Sequence, residues 1–351
     1  MVTELAQKTV RHTSRYHLNN KQSGIALIYV LLIFLLITAV ASEIVTNLWL
    51  HTEKNTHYLE RVQAKHYAMG AEQLVAMLLE QDFQQDKQNE RMADSFNEDW
   101  NVRTVDYDVE QGKIELQVID EQGLFNLNAL AQPPGQEEKP REQSGPDYLA
   151  MFENLLQSQS MDPALAKKVR QWVSQSQQKG VSESAADAVY LSLAPPRRVA
   201  QMPMVSVTEL LLVDGFSQPD VEKLLSYITV IPVTAKMNIN TAPSEVIRSI
   251  NNNITEGDVL LINQSREYTG LATMDELNRQ VALAGKAGMF PENVVGFSSQ
   301  YFSAQIKATY RDSTFYLKTL LYRNNEGHVQ VIGREVGPSH YWDWDNTSDE
   351  P

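Results

Sequence analysis

The sequence predicts an α+β protein: a long N-terminal helix packed on an antiparallel sheet, with a large helical insertion dividing that sheet. Three observations carry this prediction. An apolar run with no charged residue from Gln22 to Ser42 passes straight into a helical pattern that lacks proline as far as Phe83. Strand-like alternation is confined to two places, around residues 102–120 and 301–336. Between them the chain reads as helices punctuated by proline and glycine.

The membrane segment comes first. Its core, Ile25 to Ala41, is almost wholly apolar. A helix rises ~1.5 Å per residue, so ~20 such residues cross a ~30 Å hydrocarbon layer. Lys8, Arg11, Arg15 and Lys21 precede it, opposed only by Glu4. Basic flanks stay in the cytoplasm, so the first residues should be cytoplasmic and the remainder exported. A cleaved signal peptide ending at Ala39-Val40-Ala41 is the competing reading. The length of the run and the helix that continues beyond it count against that. In this continuation Leu48, Leu59, Val62, Tyr67, Leu74, Val75, Leu78 and Leu79 recur at helical spacing, and the C-terminal half of the stripe should pack on its own domain.

The first hairpin follows. Val102–Val109 and Lys113–Ile119 flank Glu110-Gln-Gly112, and Ile114, Leu116 and Val118 alternate with polar residues. Residues 132–146 form a polar, proline-rich loop, and helical patterns follow at Tyr148–Gln157 and Pro163–Gln175. Ser206 with Glu209 has capping-box spacing for a helix to Val213, and Ser217–Ile228 is the next. Asn240 or Thr241 should cap a helix starting at Pro243, and Thr273 with Glu276 should open another. Val207–Phe216 and Met237–Ile247 look like helix-hairpin-helix elements. Tyr301–Tyr310, Phe315–Arg323 and Val329–Val336 are the closing strands, with Asn324-Asn-Glu-Gly327 as a hairpin turn. The ends, Met1–Asn20 and Ser339–Pro351, read as disordered, and Trp342 and Trp344 in the tail are either loose or folded back on the sheet.

Composition narrows the function. The 351 residues carry 30 basic and 44 acidic side chains, a net charge of −14, which argues against a general nucleic-acid binder. At 42% hydrophobic and 21% charged the chain is compositionally a folded one, long enough for two or three small domains. No cysteine is present, so disulfides, thiolate nucleophiles and zinc–thiolate sites are excluded. The 7 histidines, His12, His17, His51, His57, His66, His328 and His340, show no metal-ligand spacing, and nothing suggests catalysis.

The N-terminal combination is specific: a short basic leader ending in Gly24, directly before an apolar helix that continues past the membrane. It resembles a type IV pilin or pseudopilin precursor. That resemblance implies cleavage by a prepilin peptidase between Gly24 and Ile25, methylation of the new N-terminus, and retention of the helix as anchor and filament core. The fifth mature position, glutamate in most pilins, is Tyr29 here. A carboxylate inside an apolar bundle costs several kcal/mol unless it meets a cation, which the neighbouring subunit's N-terminal amine supplies. A subunit with none above it has no such amine to neutralise.

Asp120-Glu-Gln-Gly-Leu-Phe-Asn-Leu-Asn-Ala-Leu-Ala131, Ala194-Pro-Pro-Arg-Arg-Val-Ala-Gln-Met-Pro203, Val205-Ser-Val-Thr-Glu-Leu210 and Met237-Asn-Ile-Asn-Thr241 occur in order and spacing similar to the protein K family of the type II secretion system, the K-type minor pseudopilins. The resemblance implies a pilin-like fold divided as leader 1–24, transmembrane helix 25–42, remaining helix and first hairpin 43–120, inserted helical domain 121–295, closing strands 296–337 and tail 338–351. It implies a subunit of the inner membrane with a periplasmic body. This subunit would cap the pseudopilus tip and help initiate assembly with I-type and J-type minor pseudopilins, and so promote export of folded proteins.

Relatives often carry an acidic cluster associated with calcium, Trp-Ile-Asp-x-Asp followed by Gly-Ala-Glu-Asp. Here the matching residues are Trp172-Val-Ser-Gln-Ser176 and Ser184-Ala-Ala-Asp187, so three of four acids are replaced. Calcium wants several oxygen ligands. Asp187, with Glu183 nearby, is a poor remnant, and no metal or cofactor is assigned. A second reading is a single-pass inner-membrane protein with an exported helix-hairpin-helix domain that binds DNA. Negative charge and the lack of hairpin glycines other than Gly215 count against it. An exported hydrolase is a third, with no motif behind it.

Overall fold

A computed structural model describes residues 23–102, 105–131, 147–174, 185–232, 235–282 and 288–337. The two predicted disordered ends, with Trp342 and Trp344, and the proline-rich loop lie outside these residues. The chain divides into two units, one up to Leu59 and one from Glu60 onward. Helix α1 runs from Ser23 to Gln88. In the first unit its side chains are exposed from Gly24 to Leu59, apolar ones included. It is long and apolar enough to cross a membrane.

In the second unit, the strands β1 (Val105–Val109), β2 (Gly112–Asp120), β3 (Phe125–Asn126), β4 (Ile228–Thr229), β5 (Met237–Asn238), β6 (Val295–Gly296), β7 (Tyr301–Tyr310), β8 (Ser313–Arg323) and β9 (Val329–Val336) form three sheets. The main sheet is antiparallel with order β1-β2-β7-β8-β9. β2 and β7 are neighbours although some 180 residues separate them, so one sheet is split by an insertion, as the pattern predicts. Two-residue parallel pairs, β3 with β4 and β5 with β6, lie within the insertion.

Alternation sets the sheet's inner face. Ile114, Leu116 and Val118 of β2, Phe302, Ala304, Ile306 and Ala308 of β7, and Phe315, Leu317 and Leu321 of β8 are buried against α1. The helix answers with Ala64, Ala68, Ala71, Val75 and Leu79. Of the predicted stripe, Val75 and Leu79 are buried, whereas Leu74 is exposed and Leu78 only partly covered. Three alanines take the remaining contact positions, because small side chains let helix and sheet approach closely. Gly112 opens β2, where a Cβ would strike the Thr309 carbonyl. Gly327, with φ +91°, closes the predicted turn against the Phe83 ring.

The insertion has its own core. Helices α2 (Tyr148–Ser158), α3 (Leu165–Val173), α4 (Ala185–Leu191), α5 (Gln218–Leu224), α6 (Ser244–Ser249), α7 (Glu256–Arg266) and α8 (Met274–Ala282) enclose Phe125, Phe152, Leu155, Trp172, Val246 and Ile247 among others. The Phe125 and Phe152 rings stack 5.2 Å apart. The two helix-hairpin-helix stretches differ from expectation. Val207–Leu212 is a 3-10 helix, though Ser206 and Glu209 do make the predicted capping box. The second stretch begins as strand β5 before reaching α6. Pro243 occupies the N-cap of α6 and makes no side-chain cap bond. The candidate caps Asn240 and Thr241 are engaged elsewhere, as described below.

Candidate functional site

Gly24, Ile25 and Tyr29 lie at the start of α1, with Ile25 and Tyr29 well exposed. A Cβ on Gly24 would meet nothing within 4 Å, so the fold itself does not require glycine there. Among the calcium candidates, Glu183 lies outside the described residues, and Asp187 is placed only as part of α4. Trp172, the first residue of the degraded motif, is buried against the Tyr190 ring.

The family-like Asn-x-Asn motifs prove to be two copies of one device. Asn128 N–H donates to Asn126 Oδ1 at 3.1 Å, and Asn240 N–H donates to Asn238 Oδ1 at 3.0 Å. The second asparagine of each pair then brackets the backbone N–H and carbonyl of one distant residue. Asn128 Oδ1 accepts from Met204 N–H at 2.8 Å while its Nδ2 donates to Met204 O at 3.0 Å. Asn240 Oδ1 accepts from Leu271 N–H at 2.7 Å while its Nδ2 donates to Leu271 O at 2.8 Å. Each bracketed residue stands just before a Ser/Thr-x-x-Glu cap: Ser206 with Glu209, and Thr273 with Glu276. All four asparagines are buried, so each bond replaces water that cannot reach these groups.

A charged network ties the two ends of the insertion to the sheet. Asp120 ends β2, and its Oδ2 accepts from Thr241 Oγ1 at 2.6 Å, Ser299 Oγ at 2.7 Å and Asn238 Nδ2 at 2.8 Å. Gln122 spans the same gap, donating to Lys236 O at 2.7 Å and accepting from Gln300 N–H at 2.7 Å. Next to it Arg323, at the end of β8, is buried with its guanidinium between Asp94 and Asp82. Its Nη1 donates to Asp82 Oδ2 at 3.0 Å and to Leu79 O at 3.2 Å. Its Nη2 donates to Asp94 Oδ1 and, at 2.9 Å, to Ser299 O. The other Asp94 oxygen accepts from Ser299 N–H at 2.6 Å. Arg91 in the same segment forks onto Glu276 of α8 at 3.1 and 3.0 Å.

Acid outnumbers base at this junction. Burial, reinforced by Asp94 and Glu98, pushes Asp82 up to about 8. Burial likewise raises Glu98 to about 7, Asp86 to about 6 and Asp120 to about 6. Oxygens of Asp82, Asp94 and Glu98 come within 4.8 Å of one another, a spacing compatible with a cation, and the Arg323 guanidinium already supplies positive charge there. Glu72 behaves oppositely. Burial raises it, but bonds from Arg334 at 2.7 Å and Thr319 at 2.7 Å outweigh that and hold it below the usual range.

Sequence reasoning passed over this junction, although β8 held a signal. Phe315, Leu317, Thr319, Leu321 and Arg323 share one parity, so an arginine sits on the buried face and demands acids. Asp82 at the end of α1 and Asp94 just beyond it are the acids that answer it.

Comparison with known proteins follows the same lines. Residues 123–233 match the family model described as "Type II secretion system (T2SS), protein K". Over 322 residues the chain is 27% identical to type II secretion system protein K of Pseudomonas aeruginosa, covering 90% of this chain and 93% of that protein. Over 332 residues it is 29% identical to the protein K of Pectobacterium carotovorum subsp. carotovorum, covering 91% and 98%. In structure it is similar to a chain of the GspK-GspI-GspJ complex from the type 2 secretion system of enterotoxigenic Escherichia coli. The TM-score there is 0.63 at 20% identity, covering 82% of this chain and 100% of that one. Along nine-tenths of its length this chain is thus similar to type II secretion system protein K, residues 123–233 match that family's model, and the fold is that of a chain in the GspK-GspI-GspJ complex.

Proposed function

We propose that this chain is a minor pseudopilin of a type II secretion system that caps the pseudopilus tip. It helps initiate assembly with I-type and J-type minor pseudopilins and thereby promotes export of folded proteins across the outer membrane. It works by binding partners rather than by catalysis. The likeness to protein K along nine-tenths of the chain carries this reading, and the solved complex that shares its fold contains the I and J proteins. In this reading α1 anchors the subunit in the inner membrane with its N-terminus in the cytoplasm and its body in the periplasm. The glycine at position 24, which the fold does not need, serves the prepilin peptidase. Tyr29 in place of glutamate suits a subunit with no neighbour's amine above it.

Co-purification from detergent-extracted membranes tests this, comparing wild type with Tyr29→Glu. The wild type should bring down both partners, and the variant should gain nothing. An unpaired acid in the apolar helix is costly unless it protonates. Improved assembly in the variant would place the subunit in the filament body, and recovery of the wild type without either partner would remove the proposal.

A further inference from the structure

A cavity of 390 Å³ opens beside Phe96 and Asn97 and the C-terminal half of α7, its lining including Asn240, Leu260, Arg266 and Glu267. Its shape is held by bonds already present. Asn97 Nδ2 donates to Arg266 O at 3.3 Å and also to Glu267 O, which pins the 95–98 segment to the end of α7. Asn240 forms the inner wall as part of its bracket on Leu271.

The charge at this cavity is unusual for the molecule. Arg91 and Arg323, the half-buried and buried arginines of the adjoining junction, both face carboxylates. Arg266 does not. Its Nη1 donates to the carbonyl oxygens of Ile239 and Ala242, both at 2.7 Å, and among the described residues it has no acid partner. Burial lowers its pKa to about 10, the direction expected when a cation leaves water without a counter-charge. Carbonyl dipoles occupy one nitrogen, leaving Nε and Nη2 for the two-pronged contact that guanidinium makes with carboxylate. Beside this cation Phe96 and Leu260 are 39% and 57% exposed, giving the cavity an apolar rim.

We propose that this groove binds a carboxylate-bearing segment of a partner protein, an aspartate or glutamate set on Arg266 with an apolar side chain beside it on Phe96 and Leu260. Charge complementarity selects that occupant over others. A cationic segment would meet an uncompensated guanidinium, and a purely apolar one would leave Arg266 deprived of both water and a partner. Glu267 in the same lining disfavours a segment with several acids and favours a single one, set on Arg266.

The test uses the full chain in detergent micelles with arginine labelled at ¹⁵Nε. The probe is the capped dipeptide acetyl-Asp-Leu-amide, with acetyl-Asn-Leu-amide as control. The acid peptide should shift one arginine Nε resonance saturably, and the amide peptide should bind at least about tenfold more weakly. Arg266→Lys removes that resonance and so assigns it. Leu260→Glu changes only an exposed rim residue and should abolish the shift while leaving the fold intact. A lack of saturation up to about 50 mM acid peptide, equal binding of the amide peptide, or unchanged binding by Leu260→Glu would overturn the proposal.

Discussion

Replacing Asp82 with asparagine should make the protein more stable at alkaline pH, although the side chain contacts a buried arginine. Asp82 is held near 8 by burial and by Asp94 and Glu98, against about 3.9 for an ordinary aspartate. Across that window the folded chain keeps a proton that the unfolded chain releases. Stability contributed by this group is therefore full below the ordinary value and falls as pH rises, by about 1.4 kcal/mol per pH unit for one proton, until the curve flattens above about 8. Asparagine mimics the protonated form: its Oδ1 still accepts from Arg323, and its amide can donate to Asp94 or Glu98. The variant should track the wild type below about pH 4 and lie about 2 kcal/mol above it by pH 8. That is well under the ceiling of roughly 6 kcal/mol for an isolated proton, because Glu98 and Asp86 share the same buried charge. Urea unfolding at a series of pH values measures it, with tryptophan fluorescence as the signal, since buried Trp100 donates to Glu98 at 2.6 Å. Parallel stability curves, or a variant weaker by 2 kcal/mol or so at pH 8, would show that Asp82 is an ionised partner of Arg323 and refute the reasoning.

Three further outcomes are expected. Asn240→Ala should cost about 2–4 kcal/mol in urea unfolding, because it strands both the N–H and the carbonyl of buried Leu271, and Asn128→Ala should cost a similar amount at Met204. N-terminal sequencing of membrane-extracted protein should begin at Ile25, and Gly24→Glu should leave the leader attached; a start near Ser42 would favour a signal peptide. Millimolar calcium should move the melting temperature by less than about 1 °C, since RT ln(1 + [L]/Kd) stays small at low affinity, and a rise of several degrees would show that other oxygens rebuild a calcium site.

Much of the fold was legible in short-range pattern. Period-two alternation located β7 and β9 to the residue and placed β8 within two. Capping chemistry located the ends at Ser206 and Thr273. What pattern missed depended on partners far away in sequence. Asn240 and Thr241 look like caps for α6, but a buried peptide at Leu271 and the carboxylate of Asp120 take them first. On α1 the stripe marked part of the contact face, with Val75 and Leu79 in the core and Tyr67 and Leu78 packed against it, but not the alanines that set the approach to the sheet. Helix α7 went unassigned because its apolar residues, Val259 to Ile262, run consecutively and show no helical spacing, and the Arg266 groove that it walls went with it. The charged junction needed parity on β8, the end of α1 and the 94–98 segment to be considered together.

Position in the filament is tested most directly by gold-labelled antibody against the inserted helical region on sheared, intact pseudopili. A tip subunit places label at one end only, at about one particle per filament whatever its length, because nothing stacks above it. Label distributed along the shaft, rising in number with filament length, would contradict the tip assignment.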